Sequence, residues 1–591
     1  MNSFLGVSIS TPVRFLHQFF PFLFIFVYGS FVLAFCFIQP PFQIPDEPAH
    51  FFRATQVSYF DFGPHFIAAT PFGGAFLPLA LNDFAVREQS REARKGHLKN
   101  ARERFQQIQA DARNQRPVTV TGFIEMPNEV IYHPLYYLPQ AVSIAIARAF
   151  SDRVYVWFYA DRIFNSLTAV LLLGIALWLS RDQQFVLAGI ALLPMSISQI
   201  ASASPDAWQI AGMVLFVSLC IRLRDRGETA LQWIAVLLGI WLVTVRPVFL
   251  IAVLLAPLCA YARLSRRRVL SLSAAIGIPA VVLAFQWSRE AAQAYLGTEA
   301  FWHSSPQAQI SCLLPHPLRL FPILIHTYAR EHTAVYRSFI GILGWTAVEM
   351  PKWFYVCAPI LLVFIFAAFL VPRRVWSLSG AVAALGFLGV LSATLLSMYL
   401  LFTPACINTI YGLQGRYFLA PLALVALVCG TEFKNSAARY LGGASLCVLL
   451  MALSLWVSAR QTDRKYYHHP IAAASASPKG HIEIPSPHAH VAGRITISGW
   501  AAATTAIKLV TVSVDGHDQR SIPCDIARPD VDDAVDGSAP GDKGWKIILD
   551  SSSWGAGNHV IAARASAANG QTASLGSIQV VYEGSLHQTS K

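Results

Sequence analysis

Long apolar runs separated by short polar stretches dominate the first 458 residues of the chain. Runs of roughly 20 apolar residues are typical of membrane-spanning helices, and the pattern predicts spans at 19–39, 156–179, 185–201, 206–221, 269–287, 353–371, 378–402, 417–431 and 440–457. A longer run, 231–262, is interrupted by Arg246-Pro247. Because proline cannot continue a helical hydrogen-bond ladder, we expect two short helices that meet at Arg246. The total is about eleven transmembrane helices, and the short run 135–150 is expected to be interfacial.

The polar positions indicate which side of the membrane each loop occupies. Charged residues make up 13% of the chain, about half of what a soluble protein carries. The formal net charge is +12, but the positive residues stand in short clusters between apolar runs, as in cytoplasmic loops. This distribution excludes nucleic-acid binding as the reason for the charge. It predicts a cytoplasmic N-terminus and extracytoplasmic loops at 40–155 and 288–352.

The pattern changes after the last apolar run. Residues 459–480 are expected to be a linker, and 481–585 alternate apolar and polar residues in short runs with turn signals at Asp515-Gly516 and Asn569-Gly570. Such alternation predicts an all-β sandwich, followed by a tail at 586–591. The fold class is therefore a mainly α polytopic membrane protein, with a membrane domain over 1–458 and a C-terminal β domain outside the membrane. Whether that domain is a spacer or contacts sugars stays open.

A group of polar residues directly follows the first apolar run, in "PDEPAHFFRA". In a helix, Asp46, His50 and Arg53 fall on one face, and Glu47 lies one position round. Acids at a helix N-terminus are explained by the helix dipole, but that explanation leaves His50 and Arg53 unaccounted for. A carboxylate here could take a proton from a hydroxyl group, the usual task of a general base. Asp46 and Glu47 are the candidate catalytic residues.

Further polar residues recur at the ends of apolar runs on the same predicted side. Arginine side chains match the oxygen geometry of phosphate, so these residues and the acidic group together indicate an anionic headgroup. Anchoring in the headgroup region, helix capping and structural ion pairs are the alternatives for each residue alone. The candidate substrate-binding residues are His50, Arg53, Tyr136, Arg162, Asp206, Arg246, Arg337, Gln414, Arg416 and Tyr417.

The cysteines and acids do not predict a metal site. The nine cysteines form no CxxC pair, and no multi-acid cage is apparent, so we expect no cofactor, with a divalent metal ion as the open alternative. A disulfide between Cys312 and Cys406 joins two predicted outer loops and is geometrically possible, but sequence cannot show that the two thiols meet.

Six strings occur in the order found in a known family. "PDEPAHFFRA", "HPLYYL", "ADRIFNS", "SQIASASPDA", "FIGILGWTAVEMP" and "LQGRYFLAP" resemble the bacterial multi-pass proteins called domain-of-unknown-function family 2142. That family resembles the GT-C glycosyltransferases, whose donor is a sugar on polyprenyl phosphate or pyrophosphate. The β domain lies outside the resemblance, although it looks like accessory sandwiches of bacterial surface-glycan enzymes.

The resemblance implies inverting sugar transfer to a cell-surface glycan, lipid or protein at the outer face of the bacterial inner membrane. Asp46 would be the general base, and Arg416 with Arg246 or Arg337 would stabilise the departing phosphate. Glu47 would tune Asp46 or bind the acceptor. A transporter or flippase for lipid-linked sugars and a non-catalytic membrane scaffold are the competing hypotheses. The sugar, the acceptor, the number of donor phosphates and the oligomeric state are not predicted.

Overall fold

The computed structural model describes residues 11–93, 100–302, 304–344, 347–430 and 437–467. In the C-terminal part it describes 472–473, 477–485, 489–491, 494–526, 528, 531, 535–536, 538–539, 541–555 and 557–582. The chain forms two compact units, one from residues up to Val86 with Ala101–Asp463, the other from 87–100 with Arg464 onward.

The α-helices precede the β-rich region of the chain. They are α1 (Thr11–Ile38), α2 (Glu47–Ser58), α3 (Leu79–Ala93), α4 (Ala101–Asp111), α5 (Leu138–Phe150), α6 (Val154–Leu179), α7 (Gln184–Ala191), α8 (Pro194–Ile200), α9 (Asp206–Arg226), α10 (Gln232–Val245), α11 (Leu250–Leu255), α12 (Arg266–Glu290), α13 (Ala292–Trp302), α14 (Pro306–Leu313), α15 (Leu320–Ile340), α16 (Lys352–Phe369), α17 (Pro372–Val375), α18 (Leu378–Leu401) and α19 (Ala437–Tyr466). The 3₁₀ helices that bear on the site are Pro134–Tyr137, Pro247–Phe249, Ala256–Ala262, Gly415–Phe418 and Pro421–Val428.

Among the described residues, seven helices are long and apolar enough to cross a membrane: α1 from Phe15, α6, α9, α12, α16, α18 and α19. Two bent helix pairs raise the number to nine if each pair is one span. The predicted eleven spans are not confirmed, because that count included three shorter apolar segments, Thr229–Val245, Pro247–Tyr261 and Gly415–Val428. The expected break at Arg246 is confirmed: α10 ends at Val245, and Arg246 leaves the helical conformation before Pro247.

Three predicted boundaries differ from the structure. Residues 185–201 are two helices, α7 and α8, at 84°, because Pro194 begins α8 and lacks the N–H that would continue α7. The predicted outer loop 288–352 contains two apolar helices, α14 and the helix that runs to Ile340, with a bend of 108° between them. The charged residues within α15 kept this pair from being predicted as apolar. The last helix continues to Tyr466, past the predicted boundary at 458, since residues 459–466 contain neither glycine nor proline.

The segment that follows α1 packs against α6 through a shared hydrophobic cluster. It contains α2 to α5 and an antiparallel pair of strands, β1 (Gly74–Pro78) and β2 (Thr121–Glu125). Phe42 lies at its centre, with ring centroids 4.6 Å from Phe158 of α6 and 5.2 Å from Phe84 of α3. Phe51 of α2 joins the same buried cluster. This aromatic core fixes α2, and with it the acidic residues at its start.

Helix α9 connects two ends of the first unit. Its 21 residues rise about 1.5 Å each, so Asp206 and Arg226 lie about 30 Å apart. At the far end, Arg224 donates to the carbonyl of Leu427, and Asp225 pairs with Arg374 at 3.5 Å. Segment Gly415–Val428 runs alongside, with Arg416 3.8 Å from Asp206 at the near end. Because a 3₁₀ helix rises about 2 Å per residue, more than an α-helix does, this shorter segment covers about the same length as α9.

The C-terminal region is rich in β-strands. After the short pair β3 (Ile342–Leu343) and β4 (Val348–Glu349) of the helical unit, they are β5 (Ala472–Ala473), β6 (Lys479–Ile484), β7 (His490–Val491), β8 (Arg494–Ala502), β9 (Ile507–Val514), β10 (His517–Ile522), β11 (Val535–Asp536), β12 (Gly544–Asp550), β13 (Gly557–Ala567) and β14 (Thr572–Tyr582). One sheet has the order β10-β9-β13-β14-β7 and another the order β12-β8-β6, and both contribute to one hydrophobic core. The predicted turn at Asp515-Gly516 is present, with φ of 50° and 82°, as a two-residue hairpin requires.

Candidate active site

The acidic turn after α1 presents Asp46 to a cavity. Asp46 has φ 66° and ψ 0° and directly precedes α2 without capping it. A positive φ is uncommon for residues other than glycine and is concentrated at functional positions. The carboxylate of Asp46 accepts a hydrogen bond of 2.9 Å from Arg416 Nη2. The Asp46 side chain is 38% exposed, whereas that of Arg416 is 6% exposed, so the pair has an open acidic side and a buried basic side.

Two arginines and a second acid complete the polar end of the cavity. Asp206, at the start of α9, lies 3.2 Å from Arg246 Nη2 and 3.8 Å from Arg416 Nη1. The hydroxyl of Tyr136 lies 2.7 Å from Asp206 Oδ1. Although Asp46 and Arg416 are 370 positions apart, these contacts join the acidic turn, α9, the break after α10 and the Gly415–Phe418 turn in one network.

Local sequence explains how both arginines reach this position. Arg246 is released from α10 by the proline that follows it. Arg416 follows Gly415, whose N–H donates to Ser338 Oγ at 2.8 Å. A Cβ at residue 415 would lie 2.2 Å from the backbone of α15, at Phe339 N and Val335 O. Only glycine permits this close approach, which brings the turn against α15 and directs Arg416 toward Asp46.

The cavity has a volume of about 500 Å³. Its lining combines the acids and arginines described above with apolar side chains, among them Val245, Phe249, Ala284, Met398 and Leu401. Aromatic side chains also contribute to the lining: Tyr132, Trp287, Tyr295, Trp302, Phe402 and Tyr417. Such a cavity suits a ligand with an anionic group, a ring and an apolar tail.

The cavity also has two neutral histidines. His50 lies 2.9 Å from the hydroxyl of Tyr137 through Nδ1, and burial lowers the pKa of His50 to about 4. Burial likewise lowers the pKa of His133 to about 4. Neither imidazole carries a charge at neutral pH, so the positive charge in the cavity comes from Arg246 and Arg416.

Comparison with known proteins concerns the helical unit. Residues 30–426 match the family described as "Predicted membrane protein (DUF2142)". The chain belongs to this family. No curated protein matches this DUF2142 protein. Among solved structures, it is similar to the endo-beta-1,4-mannanase from Thermotoga petrophila at 10% identity and a TM-score of 0.15, over 22% of this chain and 24% of that chain. The DUF2142 chain thus spans about a quarter of that structure's length, and a likeness this slight carries no argument.

The structure of this DUF2142 protein brings together most of the residues singled out from the sequence. Seven of them line the cavity: Asp46, His50, Asp206, Arg246, Gln414, Arg416 and Tyr417. Tyr136 contacts the cavity network through Asp206. Among the described residues, no group of three or more histidine, cysteine, aspartate or glutamate side chains is placed to hold a metal ion.

Glu47 has a different environment from the one the catalytic prediction requires. Its carboxylate is fully buried and accepts from Arg162 at 2.7 and 2.9 Å. It also accepts from the backbone N–H groups of Phe42 at 2.9 Å and Ala203 at 3.0 Å. Arg162 additionally donates to carbonyls at the end of α1. The structure therefore favours a structural role for both residues, joining α1, α2 and α6 behind the cavity.

Two other predicted binding residues lie outside the cavity lining. Arg53 is buried on α2 and donates to the carbonyl of Phe62 at 2.8 Å and to Gln56. Arg337 is 38% exposed on α15 and pairs with Glu349 at 3.3 Å. Helical periodicity placed Arg53 beside Asp46 and His50, but it could not show that the loop after α2 folds back to bind its guanidinium.

One acid of the DUF2142 cavity was not singled out from the sequence. Glu129 is buried and lines the cavity, in the turn between β2 and Pro134–Tyr137. Burial, together with the charge of Asp46, raises the pKa of Glu129 to about 8. The signal available in the sequence was its place at the head of the aromatic string "EVIYHPLYYL".

Proposed function

We propose that the protein is a membrane glycosyltransferase, which moves a sugar from a polyprenyl-phosphate-linked donor to a cell-surface acceptor at the outer face of the inner membrane. The observation that carries this proposal is the Asp46–Arg416 contact of 2.9 Å inside a cavity that is lined by both polar and apolar side chains. A general base and a binding group for the phosphate would thus lie side by side.

Asp46 is the proposed general base. In the transfer, the acceptor oxygen attacks the anomeric carbon, the bond between that carbon and the phosphate oxygen breaks, and the acceptor proton moves to Asp46. The exposed side of the Asp46 carboxylate is available to a hydroxyl group. If the phosphate of the sugar donor pairs with Arg416, Asp46 would lose its ion pair with that arginine. Binding of the sugar donor would thus free the Asp46 carboxylate to accept a proton.

Arg416 and Arg246 are the proposed phosphate ligands. Each has buried donors without a hydrogen bond among the described residues, Nε and Nη1 of Arg416 and Nε of Arg246. Unpaired buried guanidinium donors are costly unless a ligand satisfies them. A phosphate in the cavity would do so and would be stabilised there as it departs.

The two ends of α9 support the proposed orientation. Positively charged side chains gather at the end away from the cavity, including Arg222, Arg224, Arg226 and Arg374. Cytoplasmic loops carry such an excess, so the cavity would face outward. Cys312 and Cys406 form a disulfide that joins α14 to the segment after α18, and the end of α18 lines the cavity through Leu401. Disulfides persist in oxidising compartments, which favours the same orientation. The C-terminal strands, interpreted as an accessory sandwich, would then also lie outside.

The test is substitution of Asp46 by asparagine in the native host. Removing the base should abolish the surface-glycan modification and cause lipid-linked sugar to accumulate on the outer leaflet, while the protein still inserts. Glu125→Gln, at the end of β2 and outside the cavity lining, is the matched control and should leave the glycan intact. An unchanged glycan in the Asp46→Asn strain contradicts the proposal. Donor trapped on the inner leaflet would favour a flippase instead.

A further inference from the structure

Glu129 is held rigidly where it faces the polar end of the cavity. Side chains of α12 and α13 donate to three residues of its turn: Thr298 to the carbonyl of Pro127 at 2.6 Å, Trp302 to Asn128 Oδ1 at 3.0 Å and Trp287 to the carbonyl of Ile131 at 2.7 Å. Three hydrogen bonds fix the turn on both sides of Glu129. A carboxyl group fixed in this way, buried and in the cavity wall, has a defined position relative to a bound ligand.

The charge of Glu129 decides the net charge of the cavity. Asp46 and Asp206 balance Arg246 and Arg416 in the lining, and both lining histidines are neutral. With Glu129 protonated, the polar end is therefore neutral. With Glu129 ionised, it carries one excess negative charge, which repels an anionic ligand in a site of low dielectric.

The surroundings of Glu129 favour its protonated form. Burial is the largest cause of its raised pKa of about 8, and the negative charge of Asp46 adds to it, whereas Arg416 and backbone N–H groups oppose the shift. The other titratable groups that sense Glu129 are the hydroxyls of Tyr132 and Tyr137. At neutral pH the carboxyl thus carries a proton, and it loses that proton as pH rises through about 8.

We propose that protonated Glu129 selects for the lipid-linked sugar. Its O–H donates a hydrogen bond to the phosphodiester that Arg416 also binds, and ionisation of Glu129 excludes that anion. This inference rests on the proposed function only for the identity of the ligand. A neutral acid is the one form of a carboxyl group that can donate a hydrogen bond to a phosphate oxygen. The protonated carboxyl group therefore adds affinity for the phosphodiester, whereas the carboxylate would repel it.

The test measures binding rather than turnover. The probe is a short-chain alkyl ester of glucose 1-phosphate, whose single negative charge does not change between pH 7 and 9. Binding is followed through the fluorescence of Trp287 and Trp302, which line the cavity. One pH unit above the pKa of Glu129, about a tenth of the molecules keep the proton, so the wild-type protein should bind about tenfold more weakly there than the protonated form.

Glu129→Gln keeps a neutral hydrogen-bond donor and should bind the probe equally at pH 7 and 9. Glu125→Gln, a nearby acid outside the cavity lining, should keep the wild-type pH dependence.

Infrared spectroscopy of the wild-type protein should show a protonated carboxyl band that disappears as pH rises through about 8 and is missing in Glu129→Gln. The proposal is overturned if the wild-type protein does not bind the probe or binds it independently of pH. It is also overturned if probe binding by Glu129→Gln weakens with rising pH as it does for the wild type. Should the pH dependence hold while the Asp46→Asn strain keeps an unchanged surface glycan, the proposed function fails and this inference stands.

Discussion

Two neighbouring acids, Asp46 and Glu47, have opposite environments. Asp46 is partly open to the cavity and has one charged hydrogen-bond partner. Glu47 is fully enclosed, with Arg162 and two backbone N–H groups occupying its oxygens. A saturated buried carboxylate cannot accept a proton from substrate without breaking the structure around it. Of the two predicted catalytic acids, Asp46 alone has the access that catalysis requires.

Glu47→Gln should destabilise the protein strongly, because it leaves Arg162 buried without a countercharge. Breaking a buried ion pair on one side typically costs about 3–5 kcal/mol. The measurement is the thermal stability of the purified protein in detergent. Glu349→Gln is the matched control, since its pair with Arg337 is exposed and such pairs contribute about 0–1 kcal/mol. Equal stability of Glu47→Gln and Glu349→Gln would show that the buried pair is not structural.

At the scale of elements, interruptions of helices place the site residues. The break before Pro247 could be predicted from the sequence, because proline and arginine stand together inside an apolar run. The bend at Pro194 was missed, since that apolar run has the length of a span. The sequence also predicts that Asp46 and Arg416 share one face of the membrane. It cannot show that they touch, because their contact depends on how α9, α15 and the Gly415–Phe418 turn pack.

Gly415→Ala tests whether the close approach to α15 positions Arg416. The added Cβ would lie 2.2 Å from backbone atoms, so the turn must shift and the Arg416–Asp46 contact should open. The expected result is loss of sugar transfer with reduced thermal stability. Gly442→Ala in α19, where a Cβ meets nothing within 4 Å, should leave both unchanged or raise stability slightly. Full transfer by Gly415→Ala would contradict the positioning role.

At the scale of the whole molecule, the cavity and a cluster of arginines lie at opposite ends of the helical unit. Helix α9 joins the cavity at Asp206 to the positively charged end at Arg226 over about 30 Å. That length matches the hydrocarbon thickness of a bilayer. The predicted sidedness of the loops stays a prediction, and the sequence count of eleven spans exceeded the seven to nine candidate spans of the described residues.

Cysteine labelling tests this sidedness. In a Cys357→Ser, Cys524→Ser background, which removes the exposed and the partly exposed free thiol, Phe60→Cys and Trp376→Cys each place one thiol at a highly exposed position, 82% and 91% accessible. A membrane-impermeant maleimide applied to sealed right-side-out vesicles should label residue 60, after α2, and not residue 376, beside Arg374. Detergent should make both reactive. Labelling of residue 376 in sealed vesicles would reverse the proposed orientation.

The most direct test of the account follows labelled sugar on its lipid carrier. Membrane vesicles from the native host are loaded with radioactive polyprenyl-linked sugar, and the label remaining on the polyprenyl carrier is measured over time. We predict that wild-type vesicles transfer the label from the carrier to the cell-surface acceptor, while vesicles with Asp46→Asn or Arg416→Gln retain it on the carrier at matched protein levels. Release at the wild-type rate by either variant would contradict the claim that the Asp46–Arg416 cavity transfers the sugar.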